Sequence, residues 1–247
     1  MHLSRFFLFF ILLVCISSAF AQEEVGVVVA EPVFARITVD GDVRDWAGIK
    51  PAYVDTIGDN SGSQFDFAAA YIANDDKFLY IRISFAEDAP FGDLAYLVNL
   101  AFNTDLDRGT GFGFAGVTGS EFFIQSGNVY DQRSGQNFVD VFEQTPENNW
   151  GAFASADAAP FGTTKEVEIG LRRDLTFSDD EQGMPGLLNP DGAPIFEFPE
   201  LGILFEAEDE NYDSVELMPN ADPLGGEAWI EYTFAEGPAL VGDWSFY

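Results

Sequence analysis
The sequence predicts an all-β protein: a single domain built as a two-sheet antiparallel β-sandwich of jelly-roll-like form. Three observations carry this expectation. Aromatic residues are abundant, with 26 Phe in 247 residues, yet 24 Gly and 12 Pro punctuate the chain. Apolar residues recur at every second position over runs of about four to eight residues, the period of a half-buried strand. No long stretch carries a helical period.

In chain order, the opening MHLSRFFLFFILLVCISSAFA sets a cation at Arg5 before an apolar run and ends on Ala19 and Ala21, the plan of a signal peptide over residues 1–21, cleaved before Gln22. The apolar run is about half of the roughly 20 residues that span a bilayer. No membrane span is expected, and the mature chain is expected to be secreted, periplasmic or at the cell surface. Val14 stands where a lipid-attachment site at Cys15 would want a small residue. Residues 22–34 read as an extended leader and residues 35–247 as the sandwich.

The clearest element is a hairpin of residues 65–72 and 77–85, joined by Ala73-Asn74-Asp75-Asp76. In its second strand Leu79, Ile81, Ile83 and Phe85 share the face expected to meet the core, opposite Phe78, Tyr80, Arg82 and Ser84. Further strands are expected at 35–39, 95–102, 120–125, 137–142, 165–170, 202–206 and 227–234. A short helical turn is expected at 171–175. Residues 179–199, rich in Pro, Gly and acids, read as a long loop, and the chain contains no internal repeat.

Composition excludes several chemistries. The only Cys, Cys15, and the only His, His2, both fall in the cleaved segment. The mature chain therefore has no disulfide, no thiol nucleophile, no imidazole base and no imidazole-bound zinc or haem. What remains open to catalysis is carboxylate chemistry of the glycoside-hydrolase kind. The formal charge of −31, from 42 acids against 11 bases, repels nucleic acid and anionic membranes at long range. It also suits a solvated surface in a salty medium.

Two acidic constellations have the oxygen chemistry of a hard cation. Asn103, Asp105 and Asp107 alternate ahead of Gly109 and Gly111, so that a loop closing on its glycines gathers oxygens as Ca²⁺ requires, with Glu121 as a further ligand. An Asx-rich turn without an ion produces the same pattern. Phe114 stands where a helical calcium loop carries its Glu, so that version fails. The second constellation is Asp55, Asp59 and Asn60, with Asp66 close behind. A third run, Glu206, Glu208, Asp209, Glu210 and Asp213, reads as a solvated loop.

A strand, an Asp-Gly turn and a Trp at Ile37-Thr38-Val39-Asp40-Gly41-Asp42-Val43-Arg44-Asp45-Trp46 resemble the opening of the family 9 carbohydrate-binding modules. The likeness continues through the acidic residues 55–59, the strand carrying Asp66, and the turn Asn74-Asp75-Asp76-Lys77 leading into an aromatic strand. It runs on through the Asp-rich, Thr-Gly-ended segment 97–111 and the strand 119–124, spanning about residues 37–169, with a weaker echo at 204–213. The resemblance implies a sandwich that uses calcium structurally and holds a glycan end between aromatic side chains.

On this basis a secreted, non-catalytic, calcium-stabilised carbohydrate-binding protein is expected, with a polysaccharide or glycan as partner. A structural or adhesive exoprotein of the same fold is the alternative, and a carboxylate-based hydrolase is a third. Exposed aromatics stack on pyranose faces, which makes Trp150, Trp229 and Trp244 the candidate ligand-binding residues. Trp46, following the turn, reads as a core plug.

Overall fold
The computed structural model describes residues 26–115, 118–133, 154–155, 157–160, 162–177, 192–220 and 227–238. The signal peptide, the strand expected at 137–142, most of the loop expected at 179–199, Trp150 and Trp244 lie outside these residues.

Among the described residues the strands are β1 (Gly26–Val29), β2 (Tyr53–Val54), β3 (Phe67–Asn74), β4 (Phe78–Ala89), β5 (Val98–Asn103), β6 (Phe112–Phe114), β7 (Thr118–Ser120), β8 (Phe122–Gln125), β9 (Asn128–Asp131), β10 (Ala154–Ser155), β11 (Asp157–Ala159), β12 (Thr164–Arg172), β13 (Glu200–Glu208), β14 (Ser214–Met218) and β15 (Glu227–Thr233). One sheet runs β1-β15-β13-β5-β8-β9-β10, with β14 also paired to β13. The other runs β11-β12-β4-β3-β2, and β6 and β7 pair by themselves. All pairings are antiparallel except β1 with β15. That strand lies inside the segment expected to be an extended leader.

The two main sheets share one core. On β4, Leu79, Ile81, Ile83 and Phe85 are all buried, as the alternation of the hairpin predicts, and they pack with Leu100, Phe102, Ile203 and Phe205 of the opposite sheet. Phe67 and Phe205 meet edge-on across the sandwich at 6.3 Å. At roughly 1.5–3 kcal/mol for each large apolar side chain buried, this double row is the main source of fold stability.

The strand expected at 35–39 does not form. This stretch crosses the outer face of the β2–β4 sheet, where Ile37 and Trp46 pack with Ala73 and Tyr80 in a second apolar cluster. Only Ala35 keeps a backbone partner, its N donating to Asn74 O at 2.9 Å; beyond it side chains take over, Thr38 N donating to Asp45 Oδ2 at 2.9 Å and, just past the stretch, Gly41 N to Glu168 Oε2 at 2.7 Å. Trp46, 1 % exposed, is the expected plug, and its indole donates to Glu168 Oε1 at 2.8 Å. The helical turn expected at 171–175 is also absent, because β12 continues to Arg172 in register with Phe78 of β4. Among the described residues helical structure lies instead at Val43–Trp46, Phe91–Leu94 and Ala95–Leu97, the last two directly before β5.

Candidate metal centre and ligand surfaces
The loop between β2 and β3 brings Asp55, Asp59 and Asp66 under β14, which contributes Glu216. One carboxylate oxygen from each of Asp59, Asp66 and Glu216 lies within 4.8 Å of the others, the one such group among the described residues. Opposite oxygens on a cation with 2.3–2.6 Å bonds stand about 4.6–5.2 Å apart, so this spacing fits Ca²⁺.

The hydrogen bonds show what is missing. Asp66 accepts from Gly58 N at 3.0 Å, Glu216 Oε1 from Phe67 N at 2.6 Å, and Asp55 Oδ1 from Thr56 N and Asn220 Nδ2, each at 2.9 Å. Asp55 Oδ2, Asp59 Oδ1 and Glu216 Oε2 are buried with no donor. None of the four carboxylates takes part in an ion pair among the described residues. Burial, opposed by the Thr56 amide and reinforced by Asp59 and Asp66, pushes the Asp55 carboxyl up to about 7. Burial, with Asp55, Asp66 and Asp59 close by, pushes Glu216 up to about 8. An all-oxygen set of this kind, short of positive charge, has the chemistry of a hard-cation site.

The first constellation is arranged differently. Asp107 N donates to Asp105 Oδ1 at 2.9 Å and Gly109 N to Asp107 Oδ1 at 2.8 Å. Glu121 Oε2 accepts from Thr104 N at 2.7 Å, and the single Thr110 hydroxyl stands 2.9 Å from Asp105 Oδ2 and 3.1 Å from Glu121 Oε1. Burial raises the Glu121 carboxyl, against the Thr104 amide and with help from Asp105. Gly111, at φ +60°, lies so close to the Ser120 carbonyl that a Cβ would come within 2.1 Å of it. Asn103 is buried, giving its Nδ2 to Thr118 Oγ1 at 3.1 Å, while its Oδ1 has no donor. Each carboxylate here has at least one donor from the loop itself.

The third acidic run is not wholly a solvated loop. Glu206 lies in β13, is 6 % exposed and accepts from Asn99 Nδ2 at 2.9 Å. Glu208 ends the same strand, and Asp209 closes the following turn by accepting from Asn211 N at 2.7 Å.

Trp229 lies on β15, 6 % exposed. Its ring sits against Gly202, where a Cβ would come within 2.7 Å of it, and beneath the Arg108 guanidinium at 5.6 Å. A ring held in this way presents no open face to a sugar. The aromatic side chains that are exposed among the described residues are Tyr96, Phe198 and Tyr212. Tyr96 and Tyr212 lean on each other, with centroids 6.1 Å apart. Sequence reasoning missed Glu216 because it enters from about 150 residues away. Its signal was an acid on the inward face of β14, in step with buried Met218.

Fold and site together define an all-β sandwich protein carrying a nest of buried and half-buried carboxylates. No protein-family model matches the chain, and no curated protein matches it. Among solved structures it is similar to a family 9 carbohydrate-binding module from Caldicellulosiruptor kristjanssonii in complex with glucose. The identity is 10 %, the TM-score is 0.45, and the match covers 87 % of this chain and 99 % of that one. A family 9 carbohydrate-binding module from Caldicellulosiruptor kristjanssonii in complex with cellotriose matches at 11 % identity and a TM-score of 0.44, covering 86 % of this chain and 95 % of that one. No helix among the described residues is long and apolar enough to cross a membrane.

Proposed function
We propose that this chain is a non-catalytic carbohydrate-binding protein whose sandwich is locked by a hard divalent cation, calcium, held by Asp55, Asp59, Asp66 and Glu216. The observation that carries the cation reading is the set of three buried carboxylate oxygens without a donor. An unpaired buried charge costs several kcal/mol, and a bound cation removes that cost by supplying the missing charge. The carbohydrate reading rests on the ordered sequence resemblance over about residues 37–169, with its weaker echo at 204–213.

The nest suits binding better than hydrolysis. A glycosidase acid must reach a substrate oxygen in an open cleft, whereas Glu216 is 4 % exposed and one of its oxygens stands within 4.8 Å of oxygens of Asp59 and Asp66. Export across a membrane is part of the same proposal, carried by the signal-peptide pattern of residues 1–21.

Thermal unfolding in calcium and in chelator, at fixed ionic strength, tests the cation. Calcium at about 100 times its Kd adds about 2.7 kcal/mol, which raises the midpoint of a domain this size by roughly 5–10 °C. An unchanged midpoint rejects the cation site. A glycan array probed in calcium tests the sugar, and an array without signal rejects that part.

The structural or adhesive reading has its own observation: Val27 and Val29 on β1 and Val54 on β2 are exposed along the outer edges of the two sheets. Sedimentation showing self-association with rising concentration, together with a blank array, favours it.

A further inference from the structure
At one end of the sandwich lies a groove of about 1080 Å³, walled by the β3–β4 turn, the end of β12, the segment before β13 and the segment after β15. This volume is at the upper end of the range of small-molecule sites. It suits an oligosaccharide of several rings better than a single one.

The walls are fixed before any ligand arrives. Buried Asn74 clamps the strand exit, donating from Nδ2 to Ala235 O at 2.9 Å and accepting from Ala235 N at 2.8 Å. Arg173 N donates to Lys77 O and Phe234 N to Pro199 O, both at 2.8 Å, so all four wall segments are hydrogen-bonded into one frame. The Arg173 guanidinium donates to Asp75 O at 2.7 Å and lies 4.0 Å above the Phe234 ring. Rigid walls spare a ligand the entropy of ordering them.

The chemistry of the groove is unlike that of the rest of the surface. Three of the chain's eleven Lys and Arg line it, Lys77, Arg172 and Arg173, against the acids Asp76, Asp174, Glu197 and Glu236. In a chain of net charge −31 this is a nearly balanced spot, offering donors and acceptors in similar numbers. Such balance fits an uncharged, hydroxyl-rich ligand. Arg172 is held fast by Asp174, Nε to Oδ1 at 2.8 Å and Nη2 to Oδ2 at 2.6 Å, so its remaining N–H groups are aimed. Phe198, 50 % exposed, gives the groove an open ring of the kind on which pyranose faces stack.

We propose that this groove is the carbohydrate site, with Phe198 as the stacking platform and Arg172 and Lys77 donating to sugar oxygens. The proposal rests on the carbohydrate reading above and adds its location, at a groove that Trp229 does not line.

The test is calorimetric titration of the full mature chain with the tightest oligosaccharide from the array and with cellotriose as a fixed reference. Phe198→Ala is expected to weaken binding at least tenfold and Arg172→Ala several-fold. Tyr212→Ala, at an exposed ring outside the groove, is expected to stay within twofold of the parent. The calcium-dependent midpoint of each variant confirms that it is folded. A parent that binds while Phe198→Ala and Arg172→Ala bind equally well overturns the groove and leaves the carbohydrate reading standing. A loss that appears in Tyr212→Ala instead overturns the groove in the same way. A parent that binds no glycan overturns both.

Discussion
The two acidic regions of this sandwich look alike in sequence and differ in how their oxygens are satisfied. In the segment from Asn103 to Glu121 the acids accept from the loop's own amides and from Thr110, so the charges are spent on closing a turn. In the nest of Asp55, Asp59, Asp66 and Glu216, three oxygens remain buried and unbonded. Alternating acids are what a chain uses to cap its own turns, as Asx turns generally do. Buried oxygens are left without a donor where a distant carboxylate is packed in among them.

The sharpest way to break this comparison is Glu216→Gln. In chelator above pH 8, where the Glu216 carboxyl is ionised, it is expected to stabilise the fold by about 1–3 kcal/mol, because an amide replaces an unpaired buried carboxylate and can donate to its neighbours. In calcium it is expected to destabilise, because a charged ligand is lost. Paired melts in the two buffers check the change of sign. A variant that moves the same way in both places no cation in the nest.

The companion change is Asp105→Asn together with Asp107→Asn. Asparagine keeps the accepting oxygen, so a loss of about 1 kcal/mol or less is expected in both buffers, with the calcium response intact. Loss of that response here, measured by the same melts, would transfer the cation to this loop.

A pH-dependent effect is expected at Glu208, where burial, with Glu206 beside it, pushes the carboxyl from its usual 4.5 up to about 7. A raised carboxyl stabilises the fold fully below about pH 4.5 and loses that contribution as pH rises through 7. Relative to Glu208→Gln, the parent is therefore expected to weaken steadily across that window. Urea midpoints at several pH values check this, and parallel curves for parent and variant would contradict it.

What the sequence disclosed followed from local pattern. The β3–β4 hairpin was legible because period-2 alternation fixes which side chains face inward, and Leu79, Ile81, Ile83 and Phe85 obey it. Residues 35–39 have the same alternation, yet the β2–β4 sheet offered them a face to cover instead of an edge to join, and beyond Ala35 side chains took over their backbone bonds. Local pattern cannot distinguish these outcomes, because the partner that decides between them is remote. Glu216 was hidden for the same reason. The proposed ligand surface turns on a ring the sequence did not single out: among the described residues Phe198 is exposed, and Trp229 is buried.

Glu168, fully buried on β12, accepts from the Trp46 indole and from the amides of Asp40 and Gly41. Releasing the segment that covers the outer sheet face would take all three donors from this carboxylate and open the cluster of Ile37, Trp46, Ala73 and Tyr80 to water. Peeling that segment away and opening the strand beneath it are therefore coupled events. In hydrogen exchange the amides of Gly41 and of β12 should open together, as one cooperative unit, although some 120 residues separate them along the chain.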